Sequence, residues 1–119
     1  MRANVSGAAL LLVLGLPGTA IARSPLVAEL ETLAARYHEN PAPLDAVRDG
    51  LAQAVRQESD PETWIAQARV CFIWGDVRAT TSEQKLAAYA EGREAARRAV
   101  ELAPRAPLAH LFFGINTGR

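Results

Sequence analysis

The chain has 119 residues, half of them apolar and 22% charged, with a mean hydropathy of zero; these values exclude a disordered chain and a multi-span membrane protein. Basic and acidic residues balance at 13 each, and nothing in that balance suggests a basic nucleic-acid face or an acidic tail. The length allows one small domain, and abundant Ala with sparse Ile and Thr favours helix over strand.

The first segment reads as a secretory leader. Arg2 provides a positive start, Ala8 to Leu16 is apolar apart from Gly15, and Pro17-Gly18 breaks a helix. Ala20-Ile21-Ala22 then fits the small-x-small rule, so cleavage is expected after Ala22 and the mature chain is expected in the periplasm. A membrane anchor is the weaker alternative, because the apolar run falls short of the ~20 residues that a span needs. Contact with the membrane is thus expected only through the leader before cleavage. The single cysteine, Cys71, cannot form an intramolecular disulfide, so residues 23–119 must hold together by packing.

Ser24-Pro25 signals the first helix: a cap residue, then proline at the first helical position. Leu26, Leu30, Leu33 and Tyr37 follow as one apolar stripe, and Asn40-Pro41-Ala42-Pro43 breaks it. Leu44, Val47, Leu51 and Val55 mark a second helix from about Leu44 to Gln57. Asp60-Pro61 repeats the start signal. The third helix is predicted from Glu62 to Gly75, apolar on more than one side and therefore sandwiched, with Gly75 as a left-handed cap. Asp76 to Ser82 reads as a loop, with Thr81 or Ser82 as the next cap. The fourth helix is predicted from Glu83 to Ala103, with Leu86, Tyr89, Ala96, Ala99, Val100 and Ala103 inward. Its outer face is expected to carry the pairs Glu94–Arg98 and Arg97–Glu101. Pro104 stops it, and Pro107 opens a fifth helix holding Leu111, Phe112, Phe113 and Ile115. The fold class is therefore all-α, built from antiparallel helix hairpins.

Helix, helix, Pro, helix is also the order of a tetratricopeptide (TPR) unit, whose pattern is W-x2-L-G-x2-Y, then A-x3-F, then P. Trp64 takes the Trp place, with Gln67-Ala68 for Leu-Gly and Cys71 for Tyr; Gly92 and Ala96 stand where Ala and Phe are usual. Ala95 to Pro104 looks like the end of such a unit, and Ala109 to Gly114 like the first helix of the next. Trp64 and His110 occupy equivalent places, about 12 residues further apart than in a unit of ~34, which puts an insert around Val77 to Leu86. With Trp64, Ala68-Arg69, Phe72, His110, Gly114 and Asn116 in their places, the stretch from Asp60 to Arg119 resembles the T-component family associated with TRAP transporters. It also resembles the related regulator-of-microtubule-dynamics type of TPR protein. The resemblance implies a TPR-like solenoid fragment, incomplete at its C-terminal end, that serves as an accessory binding component of a solute transport system.

His38, His110 and Cys71 match no short metal-ligand spacing, and a lone Cys on an apolar helix reads as core. Asp45 and Asp49 could share a proton as an acid–base pair, but a solvated helix face outweighs that reading. Arg93, Arg97 and Arg98 alternate with Glu91, Glu94 and Glu101, which favours a salt-bridged face over an anion site. No phosphate-cradling glycine loop and no convergent titratable set stands out, so the expectation is a non-enzyme with no metal and no cofactor. Trp64 is expected in the core. By position in the TPR resemblance, the groove would present Ile65, Arg69, Phe72 and Ile73, a face suited to a peptide or a small amphipathic carboxylate with Arg69 on the acid. The competing expectation is a structural scaffold whose uncovered fifth helix meets a protein partner through Phe112 and Phe113. That partner would be a second copy or a transporter subunit.

Overall fold

The computed structural model describes residues 24–57 and 60–119. The leader expected over residues 1–22 lies outside them. Five helices follow in order: α1 (Pro25–Arg36), α2 (Leu44–Gln57), α3 (Pro61–Val77), α4 (Ser82–Leu102) and α5 (Pro107–Thr117). Among the described residues there is no strand, and no helix is long and apolar enough to cross a membrane.

Local chemistry sets the helix starts. The Ser24 hydroxyl accepts from the Leu26 N–H at 3.2 Å, and Pro25 follows in the first turn. Asp60 accepts from the Glu62 N–H and the Thr63 hydroxyl, both at 3.2 Å. Thr81 accepts from the Gln84 N–H at 3.0 Å. Each cap satisfies a backbone donor that the helix itself leaves open.

Successive helices pack as hairpins, and α3 touches all four others. Its faces serve two apolar clusters. On one side Ala66, Val70 and Ile73 meet Val27 and Leu30 of α1 and Leu44, Val47 and Leu51 of α2. On another side Ala68 meets Ala95 and Ala96 of α4 and Phe112 of α5, with Trp64 and Phe72 half-buried against them. The buried stripe of α4 is small (Ala88, Gly92, Ala95, Ala96, Ala99, with Tyr89 the exception), so its backbone can approach its neighbours closely. Asn116 of α5 uses this. Its amide donates to the Phe112 carbonyl at 2.9 Å and crosses to the Ala68 carbonyl of α3 at 3.2 Å. A methyl group at Gly92 would sit 2.6 Å from Asn116 Oδ1, so this glycine is a packing requirement of the α4–α5 contact.

Three expectations are corrected. Gly75 does not end α3, which runs on to Val77 and closes with the Arg78 and Ala79 N–H groups on the Trp74 carbonyl. Gly75 is buried because the Tyr89 ring lies against it, where a Cβ would come within 2.6 Å of Cε1. Leu86 faces solvent at 62% exposure: Lys85 beside it reaches the Gly75 carbonyl of α3, and Ala88 and Tyr89 are the first buried residues of α4. Glu94 pairs with Arg97, which also holds Glu101, while Arg98 turns to Glu101 at 3.0 Å; no Glu94–Arg98 pair forms among the described residues.

Candidate functional site

A cavity of about 310 Å³ opens between α1, the start of α3 and the turn from α4 to α5. Its walls are apolar: Val27 and Leu30 from α1, Ile65 and Ala66 from α3, Ala103 and Ala106 from the turn, Leu108 and Phe112 from α5. Charge reaches it through Glu31, Glu62 and Arg69. The volume lies at the lower end of the ~300–1,000 Å³ of small-molecule sites, and a mainly apolar lining with a few polar groups is their usual composition. Arg69 is half-buried, with its guanidinium 5.9 Å from the centre of the Phe112 ring, and it makes no ion pair among the described residues.

Only two of the four expected groove residues, Ile65 and Arg69, line this cavity. Ile73 points the other way, into the cluster formed with α1 and α2. Phe72 is half-buried between the two clusters and carries the Arg119 guanidinium 4.6 Å from its ring centre. Ile65 and Arg69 are four residues apart and so only about 40° from each other around α3, whereas Ile73, eight residues on from Ile65, is rotated about 80° and lies two turns further along the helix. Phe112, expected at a partner contact, is 7% exposed and belongs to the chain's own core; Phe113 is 37% exposed.

A second group of side chains joins α2, α3 and α4. Glu91 accepts from Arg48 Nη2 at 2.6 Å and from Gln67 Nε2 at 2.5 Å. Arg48 lies 4.2 Å over the Trp74 ring. Gln67 is 2% exposed, and Cys71, one turn further along α3, is fully buried. Burial pushes the Cys71 thiol from 9.0 up to about 12, and the negative charge of Glu91 adds to this. The burial of Cys71 was expected, but the group formed by Arg48, Gln67 and Glu91 was not, because these residues are far apart in the chain. The available signal was Gln67, a polar residue between Ala66 and Ala68 on a helix apolar all round.

The thiol has a consequence for stability against pH. The unfolded chain loses this proton near pH 9 and the folded chain near pH 12, so the unfolded state binds fewer protons between them and stability falls as pH rises through that window. We expect the wild type to lose about 2 kcal/mol more than Cys71→Ala between pH 8 and pH 11, read from urea unfolding. Equal losses would show that the thiol ionises alike in both states.

Asp45 is not on a merely solvated face. It accepts from Arg78 at 2.8 and 3.0 Å and from the Trp74 indole N–H at 2.7 Å. These bonds, that of Arg78 foremost, lower its pKa from the ordinary value. Asp49 shares the surface depression over Trp74 but forms no pair with Asp45. His38 is exposed beside Tyr37 and Glu39, and His110 is exposed with its Nε2 2.7 Å from the Pro104 carbonyl oxygen. Among the described residues no three His, Cys, Asp or Glu side chains converge as a metal site. Comparison of the chain with family models, curated proteins and solved structures finds no match.

Proposed function

We propose that this chain is a non-catalytic binding domain that takes an apolar ligand bearing an acidic group into the cavity between α1, α3 and α5. The observation that carries this reading is an apolar cavity reached by one guanidinium, Arg69, that has no ion pair among the described residues. A carboxylate brought there gains a charge-assisted hydrogen bond while its tail leaves water. Export to the periplasm, a TPR-like arrangement and service as an accessory component of a TRAP-type transport system belong to the same proposal. They are supported by the leader-like residues 1–22 and by the motif places from Trp64 to Asn116.

The reading predicts that octanoate binds and octanol binds at least tenfold more weakly, monitored by NMR shifts of the Leu30, Ile65 and Leu108 methyl groups. Arg69→Ala should weaken octanoate by about 10- to 100-fold, the worth of a charged hydrogen bond, without lowering the melting temperature. Undiminished octanoate binding by that variant would remove Arg69 from the site.

A second reading, a scaffold that docks another protein, is favoured by α5. Leu108 and Leu111 are each 50% exposed, and no charged residue lies between Pro107 and Gly118. Exposed apolar surface of this kind marks contact sites. The contact would use Leu108, Leu111 and Phe113, leaving Phe112 in the core.

A further inference from the structure

The cavity has a direction and a length. Its α3 wall is the stripe Pro61, Glu62, Ile65, Ala66 and Arg69, spaced by helical turns along one face. Arg69 stands at one end of the stripe and Pro61 at the other, and the eight residues between them, at ~1.5 Å each, set them ~12 Å apart along the axis. Ile65 and Ala66 form an apolar floor between the ends, and Leu30 of α1 and Phe112 of α5 line the same space. Glu62 ends the floor beside Pro61. It is exposed and has a partner of its own, as does Glu31 on α1. A methylene pressed against such a hydrated carboxylate strips water from a charge. The lining thus offers an anion site at one end and a fixed run of apolar wall beyond it.

We infer that the cavity selects by length: its ligand is a straight-chain fatty acid of about eight to ten carbons, with its carboxylate on Arg69 and its tail over Ile65 and Ala66 toward Pro61. Two separate measures agree on the size. Carbon–carbon bonds of ~1.5 Å advance an extended chain by ~1.25 Å each, so a run of ~12 Å takes about ten carbons. A dry apolar cavity of ~150 Å³ holds one benzene, so 310 Å³ holds about twelve heavy atoms, the size of a ten-carbon acid. A shorter acid leaves floor bare, and a longer one runs past Glu62 into solvent. Each methylene that meets floor is worth about fourfold in affinity, and one beyond the floor is worth nothing. Glu62 is therefore the residue that sets the limit. This inference rests on the acidic-ligand reading of the cavity and specifies which acids it takes.

Calorimetric titration of the whole chain with hexanoate, octanoate, decanoate and dodecanoate, each below its micelle concentration, tests it. Affinity should rise roughly tenfold or more with each pair of carbons up to decanoate, and less than about twofold from decanoate to dodecanoate. Glu62→Leu, a change at an exposed position, extends the apolar floor. It should move the plateau from decanoate to dodecanoate and leave octanoate within about threefold of the wild type. A plateau that stays in place in this variant overturns the limit at Glu62. If affinity climbs as steeply to dodecanoate as to decanoate, or is flat across the series, while Arg69→Ala still weakens octanoate, selection by length is overturned and the acidic-ligand reading stands. If none of the four acids binds, both fall.

Discussion

Phe112→Asp is expected to lower the melting temperature by about 20 °C or more, whereas Phe113→Asp should shift it by only a few degrees. The two residues are neighbours of identical chemistry, so the contrast isolates environment. Phe112 is 7% exposed and packs on Ala68, Ala95 and Ala96. Truncating a buried Phe costs about 3–5 kcal/mol, and an unpaired carboxylate in the vacated space adds a desolvation penalty. With about 4–8 °C lost per kcal/mol in a domain of this size, that is a large part of a typical total stability. Phe113, 37% exposed, loses about 1 kcal/mol on the same change. Thermal unfolding followed by circular dichroism compares them directly. Equal losses would mean that α5 is rotated from the face described. If α5 is a docking surface, Phe113→Asp should also dissolve any assembly seen by sedimentation while the monomer melts almost unchanged.

Glu91→Ala is the second large effect. The carboxylate is the common acceptor for Arg48 and Gln67, and its removal leaves a guanidinium and an amide facing each other without it. Breaking one side of a fully buried pair costs ~3–5 kcal/mol. Here the Arg48 side chain is 20% and that of Glu91 39% exposed, so water screens the loss, and we expect about 2 kcal/mol. Chemical denaturation should show this as a shifted midpoint with unchanged slope. Replacing Arg48, Gln67 and Glu91 together by Met, Leu and Leu should recover most of the loss, because no polar group is then stranded. A Glu91→Ala midpoint equal to the wild type would mean that the three groups contribute no net stability.

The helix plan was largely legible because its signals are local. Ser24-Pro25, Asp60-Pro61, Thr81 and Pro107 act on backbone groups within one turn, and the observed starts of α1, α3, α4 and α5 fall there. What escaped depends on helix-to-helix distance. Gly75 has the composition of a terminator, yet its role is set by Tyr89, which comes against it only after α4 folds back. Leu86 fits the apolar period of α4, but no helix lies opposite it. Asp45 looked solvated because its donors, Trp74 and Arg78, are about 30 residues away in the chain. In the candidate site, Ile65 and Arg69 were expected only by position in the TPR resemblance, while the α1 and α5 walls that make the face a cavity had no signature in the chain.

The central position of α3 also bears on how the chain can vary. A helix with one neighbour keeps an outer face on which substitutions go unnoticed. α3 has four neighbours, and Thr63, Ala66, Gln67, Ala68, Val70, Cys71, Ile73 and Gly75 are all buried on it. With the half-buried Trp64, Ile65, Arg69, Phe72 and Trp74 added, most of its positions are read by some other part of the molecule: a change that improves the fit to α2 has no spare direction in which to relax and is felt at α4 or α5. Sequence drift should therefore collect on the outer faces of α1, α4 and α5, and α3 should change only in step with its neighbours.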